Sequence, residues 1–212
     1  MKTLLELISN IRKKSEKYGK WLERLNPSLP NAFNMIFNDI TLTLELLSHY
    51  YNVWSKPSSG IKEEEFEQLR EENAERILKI TKWAFVSALS SIEYCLKETL
   101  KVARGRITSI PQLKELRRDL LAGTRVYLRR ITRQCRRAGI IDDEQYRVWE
   151  CLIEVRNAIV HNNAIADRNI EYRINDIMVT FSRGKMLRGK LDFFTKLLKI
   201  AIDQYYMLIK CY

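Results

Sequence analysis

The stretch Asp142-Asp-Glu-Gln145-Tyr-Arg-Val-Trp149-Glu150-Cys-Leu-Ile-Glu154-Val-Arg156-Asn157-Ala-Ile-Val-His161-Asn-Asn163 decides the fold class. Asp142 and Gln145 stand three apart, the spacing of a capping box, so a helix is expected over 143–161. At 100° per residue Trp149, Leu152, Ile153, Ile159 and Val160 form one apolar stripe. Arg156 falls within that stripe, whereas Glu150, Glu154, Asn157 and His161 share a second edge of the helix. The same grammar extends in both directions. With only 7 Gly and 4 Pro, breakers are scarce and long helices are expected between them. These cover 2–25, 32–54, about 63 to 102, 111–137 (closed by Gly139) and about 191–211. A small β-hairpin is expected at 177–187, with 177–181 and 185–187 flanking Arg183-Gly184. The class is therefore all-α, a bundle of about five to six helices. A helical hairpin extension over 1–54 and a linker at 55–62 precede a domain over 63–212.

The chain has 212 residues, 46% of them hydrophobic and 30% charged, which excludes collagen-like, low-complexity and disordered classes. Glu6 interrupts the only apolar stretch near the N-terminus, and no uncharged run approaches the roughly 20 residues of a membrane helix. A soluble, cytoplasmic protein without a membrane partner is expected. The four cysteines lack a Cys-x-x-Cys spacing and read as small core residues in a reducing compartment. Two histidines, His49 and His161, are too few for a His-rich metal cluster, and neither a metal nor a cofactor is expected. His49 is in register with Leu42 and Leu46 and reads as a packed or boundary residue. Trp21, Trp54, Trp83 and Trp149 read as packing side chains.

The net charge of +11 calls for an anionic partner. Residues 104–140 hold ten Arg and one Lys against two acids, so nine of those eleven charges lie in one segment. On a continuous helix Arg118, Arg125, Arg129, Arg133 and Arg136 fall on one face, about 27 Å long. Leu113, Leu116, Leu120, Tyr127, Ile131 and Cys135 fall on the opposite, core face. Arginine favours bidentate phosphate contacts, which makes RNA the expected partner. The competing reading is a solvated face, or one neutralised by the acidic run Glu63–Glu75.

A histidine titrating near neutrality and a guanidinium fit phosphodiester cleavage by an RNA 2′-hydroxyl. Histidine can act as base or acid, and arginine can hold the developing charge. One His161 cannot be base and acid on opposite sides of the phosphorus at once. Two copies facing each other in a symmetric homodimer can. Glu93, among Val86, Leu89, Leu96 and Leu100, is a carboxylate at the edge of an apolar face. Two roles are open to it: orienting Arg156, or skirting the core beside a lysine. Ser90 and Ser91 read as small packing residues.

The segment Glu154-Val-Arg156-Asn157-Ala-Ile-Val-His161-Asn-Asn resembles the signature of the HEPN superfamily, an Arg followed after four to six residues by a His, with a polar residue directly after the Arg. The resemblance covers about 63–212. It implies a small helical bundle that dimerises with both motifs lining one cleft. It also implies a metal-independent endoribonuclease of a toxin–antitoxin, abortive-infection or other anti-phage system, with an antitoxin or defence partner. Arg156 and His161 would be catalytic and Asn157 their orienter, with Glu93 and Glu154 in support. Some members carry a Tyr shortly after the His. Here the next one, Tyr172, is eleven residues downstream.

Overall fold

Seven helices and one antiparallel hairpin succeed one another along the described residues of the computed structural model, which are 2–55, 63–102, 109–162, 164–174, 176–187 and 189–210. The helices are α1 (Lys2–Leu25), α2 (Ala32–Ser55), α3 (Glu63–Val102), α4 (Pro111–Leu121), α5 (Leu128–Arg137), α6 (Asp143–Asn162) and α7 (Phe193–Lys210). The strands β1 (Ile170–Ile174) and β2 (Ile177–Phe181) lie between α6 and α7. The all-α class with a minor hairpin is thus observed. Of the linker expected at 55–62, only Ser55 falls among the described residues.

The turn between α1 and α2 is built by two asparagines. Asn26 Oδ1 accepts from the backbone N–H of Ser28, and Asn31 Oδ1 caps α2 by accepting from that of Phe33. The Asn31 side chain also donates to the Gly19 carbonyl at 3.0 Å. A Cβ on Gly19 would meet Asn34 at 2.3 Å, so glycine permits this close approach. The pair then packs on α3 and α7. Asp39 accepts from the Ser87 hydroxyl at 2.6 Å, Tyr18 stacks on Tyr206 with ring centres 3.9 Å apart, and Phe33 meets Tyr205 at 4.8 Å. One continuous core runs from Leu4 and Ile36 through Phe85, Leu96 and Trp149 to Leu198 and Tyr205. Burial of each such side chain contributes about 1.5–3 kcal/mol.

Two expected elements differ from those observed. The span 111–137 is broken into α4 and α5. Gly123 sits at φ +75°, with its N–H on the Leu120 carbonyl and that of Thr124 on the Asp119 carbonyl, the two bonds of a Schellman stop. Gly139, at φ +69°, ends α5 in the same way. The break rotates the downstream residues, and Tyr127, expected in the core, is 58% exposed. The hairpin pairs 177–181 with 170–174, with Ile170 opposite Phe181 and Ile174 opposite Ile177. A turn does form at Arg183-Gly184, where Lys185 donates to the Ser182 carbonyl. Beyond it the chain leaves the hairpin and joins 164–166, with Leu187 N–H on the Ala164 carbonyl and Ala166 N–H on that of Lys185.

Smaller departures concern exposure. Val160, placed on the apolar stripe of α6, is 40% exposed at the helix end. His49 is exposed, and Trp83 is 52% exposed beside Leu42 and Leu46 in a groove between α2 and α3. These residues do share a face, but it is the one turned away from the core. The side chain of Trp54 and all of Cys211 lie outside what the structure describes. Cys95, Cys135 and Cys151 are buried in the core. Among the described residues no helix is long and apolar enough to cross a membrane.

Candidate functional site

The capping box expected from the sequence opens α6. Asp142 Oδ1 accepts from Gln145 N–H at 2.7 Å, and Gln145 Oε1 accepts from Asp142 N–H at 3.0 Å. Two adjacent faces of α6 are buried, with Trp149, Cys151, Leu152 and Val155 fully enclosed, which holds the helix firmly in the bundle. Its remaining edge carries Glu154, Asn157 and His161, one turn apart, and this edge faces a cavity of about 380 Å³.

The other walls of that cavity come from three places. Arg129 enters from α5, Asp167 and Arg168 from the loop after α6, and Phe181 from the end of β2. Glu154, whose side chain is 13% exposed, accepts hydrogen bonds from both Arg129 and Arg168 on the same oxygen, Oε1. His161 lies in the last turn of α6 and is exposed, as is Asn162. Behind the cavity Tyr172 stands edge-on to Phe181, with ring centres 6.3 Å apart. Burial pushes its phenol up to about 12, with the charges of Glu154 and Glu150 adding to the effect. Tyr172 is thus close to this site through the fold and not through sequence spacing.

The loop that follows His161 is pinned. Ala164 adopts φ +67°, the left-handed region, although it has a side chain and is only 2% exposed. Its N–H bonds the Ala158 carbonyl at 2.7 Å, and its own carbonyl accepts from Leu187 at 2.7 Å. A non-glycine residue in that region costs about 1–3 kcal/mol and is held there by surrounding bonds. The conformation turns the chain sharply under the end of α6, which brings Asp167 and Arg168 back beside Glu154.

Arg156 does not share the cavity. It is about 140° around the helix from His161 and faces α3. There its Nη1 lies 3.8 Å from Glu93 Oε2, while Lys97 donates to Glu93 Oε1 at 2.5 Å. Glu93 is 8% exposed. It therefore both pairs with Arg156 and sits beside a lysine, so the two roles open to it from sequence coincide. The Nε of Arg156 is buried with no hydrogen-bond partner among the described residues.

The arginine stripe is not a stripe. Arg118 is on α4, Arg125 is in the connection between helices, and Arg129, Arg133 and Arg136 are on α5. The continuous row of about 27 Å required an unbroken helix, which the Gly123 stop prevents. Acids close by absorb part of the charge: Arg130 pairs with Glu115 and Asp119, Arg129 with Glu154, and Arg136 with Asp143 at 2.6 Å. Among the described residues none of these partners belongs to the acidic run at the start of α3. Arg136 also lies over the Tyr146 ring, 4.9 Å from its centre. Arg118 borders a separate open cleft of about 640 Å³ with Lys114 and Arg117, and Arg125 and Arg133 are exposed.

Of the residues singled out by sequence, the fold gathers Arg129, Glu154, Asn157 and His161 into one polar cavity. It sets Arg156 with Glu93 on another side, and leaves Arg118, Arg125, Arg133 and Arg136 elsewhere. Arg168 and Asp167 are additions that no periodicity could signal, because they belong to a loop. Compared with family models, with curated proteins and with solved structures, the chain matches none.

Proposed function

We propose that the protein is a metal-independent endoribonuclease of the HEPN kind. In this reading it acts in the cytoplasm as a homodimer, as a toxin or anti-phage effector under the control of an antitoxin or defence-system partner. The observation that carries the reading is the cavity at the end of α6, where His161 and Asn157 open onto the same polar space as Arg129 and Arg168. An imidazole and a carboxamide suit proton transfer at an RNA 2′-hydroxyl, and two guanidiniums suit the phosphate backbone beside it. His161 takes or gives the proton, Asn157 orients it, and Arg129 and Arg168 hold the RNA backbone beside the cleaved linkage.

The homodimer follows from one feature of the protomer. A single imidazole cannot serve both sides of the phosphorus. A second copy meeting the end of α6 supplies the missing histidine.

The test is cleavage of RNA in the presence of EDTA. The wild type cuts. His161→Ala is slower by about 10²–10⁴-fold, and Arg156→Ala by about 10²–10³-fold. Intact RNA with the wild type, or cutting by both variants as fast as by the wild type, rejects the nuclease. A strictly monomeric mass at the assay concentration rejects the composite site.

A second reading has its own observation. Arg156 is engaged with Glu93 and its Nε is buried, as befits a structural ion pair. On that reading the chain is a non-catalytic module that binds nucleic acid or an acidic protein through its exposed arginines. Such a module keeps its RNA affinity in both variants above and loses it when Arg125, Arg133 and Arg136 are changed together.

A further inference from the structure

We infer that Arg129 and Arg168 form a fork for a second RNA phosphate, next to the one cleaved at His161, and that Glu154 is the internal anion that keeps this fork convergent. The inference rests on the reading of the cavity as an RNA site, and it adds Arg168, a residue outside the Arg-x4-His motif.

Glu154 Oε1 receives one hydrogen bond from each guanidinium. A guanidinium carries five N–H donors, and among the described residues Glu154 is the only carboxylate paired with either of these two arginines. The two arginines are 43% and 51% exposed, whereas Glu154 is 13% exposed. The carboxylate thus forms the floor, and both arginines line the cavity above it. Arg129 Nε is buried without a hydrogen-bond partner among the described residues. Asp167, on the rim, is exposed and pairs with neither arginine among the described residues.

Spacing determines which phosphate the fork takes. Glu154 and His161 are seven residues apart on one edge of α6, about 10 Å along the axis. One phosphodiester is too small to reach from the imidazole to the fork. A strand lying along α6 past Asn157 therefore offers its cleaved linkage to His161 and a neighbouring phosphate to Arg129 and Arg168. Two guanidiniums held side by side match phosphate oxygens in a way that two free lysines would not.

The test uses a 2′-O-methyl RNA decamer, which binds but cannot undergo 2′-hydroxyl attack. Binding is followed by fluorescence anisotropy over a range of salt. Arg168→Ala is expected to weaken binding about tenfold and to reduce the salt slope by about one. Arg168→Lys is expected to recover the slope but not the full affinity. In a second arm the protein stays wild type and one methylphosphonate is moved along the decamer. One position is expected to cost about tenfold, and Arg168→Ala is expected to be insensitive at that position. An unchanged affinity and slope in Arg168→Ala overturns the fork, as does a neutral-linkage penalty that persists in this variant. Failure to cut unmodified RNA, with the binding pattern intact, removes the nuclease and leaves the fork. Absence of decamer binding by the wild type removes both.

Discussion

Ala164 is the residue on which the site geometry turns. It holds φ +67° with 2% exposure, and it ties the chain after His161 to Ala158 on one side and Leu187 on the other. A β-branched side chain is a true outlier in that region and has no room to expand in a closed interior. Ala164→Val is expected to lower stability by about 2 kcal/mol or more in urea denaturation. Ala164→Gly is expected to stay near wild type, since relief of strain offsets the greater freedom of the unfolded chain. Glu93 makes a different point at this scale. Its place on an apolar face marked it in the sequence as a carboxylate in need of a cation. Which cation it had could not be read, because Lys97 and Arg156 come from different helices and both reach it.

At the scale of the element, α6 was legible almost residue by residue. Its cap, its buried face and its polar edge follow from local spacing, and each is observed. The basic segment was not. Gly123 lies inside the span expected as one helix, yet its left-handed φ and the two Schellman bonds make it a stop. A Cβ there would meet nothing within 4 Å, so Gly123→Ala tests conformation alone. It is expected to cost about 1 kcal/mol, seen as a lower Tm, with α4 and α5 remaining separate. The hairpin shows the same limit. The alternation of Ile177, Val179 and Phe181 identified β2, since these side chains face the core. Its partner was not identified, because strand pairing is settled by what else needs the free edge. The 184–187 segment is drawn off by the Ala164 turn, and β1 takes the vacancy.

At the scale of the whole molecule, one core joins all seven helices, and its thiols report on its integrity. Cys151 is pushed up to about 12 and Cys95 to about 11, chiefly by burial. Both are raised from about 9, so the folded state favours the neutral thiols. Their contribution to stability is therefore complete below pH 9 and is lost as pH rises towards 11–12. Alkylation at pH 8, mapped by mass spectrometry, is expected to leave both residues unlabelled until denaturant unfolds the chain. Prompt labelling of either would show that the core is open where it is described as closed. The net charge of +11 also takes on a different form at this scale. The described arginines of the basic segment are distributed over two helices and a connection, with Arg129, Arg130 and Arg136 partly neutralised by acids that the fold brings near.

Local chemistry, readable in the amino-acid sequence, determined the helical class, the capping of α6, and the edge that carries Glu154, Asn157 and His161. These depend on residues within one or two turns of each other, and helical periodicity transmits such information directly. Only the tertiary structure decided that Arg168 joins Arg129 on Glu154, that Arg156 turns to Glu93, and that the arginines do not form one row. The first and last of those outcomes depend on where a left-handed residue, Ala164 or Gly123, sends the chain, and the second on the packing of α6 against α3. A single backbone angle redirects everything after it, and the packing that holds the angle comes from residues far away in the sequence.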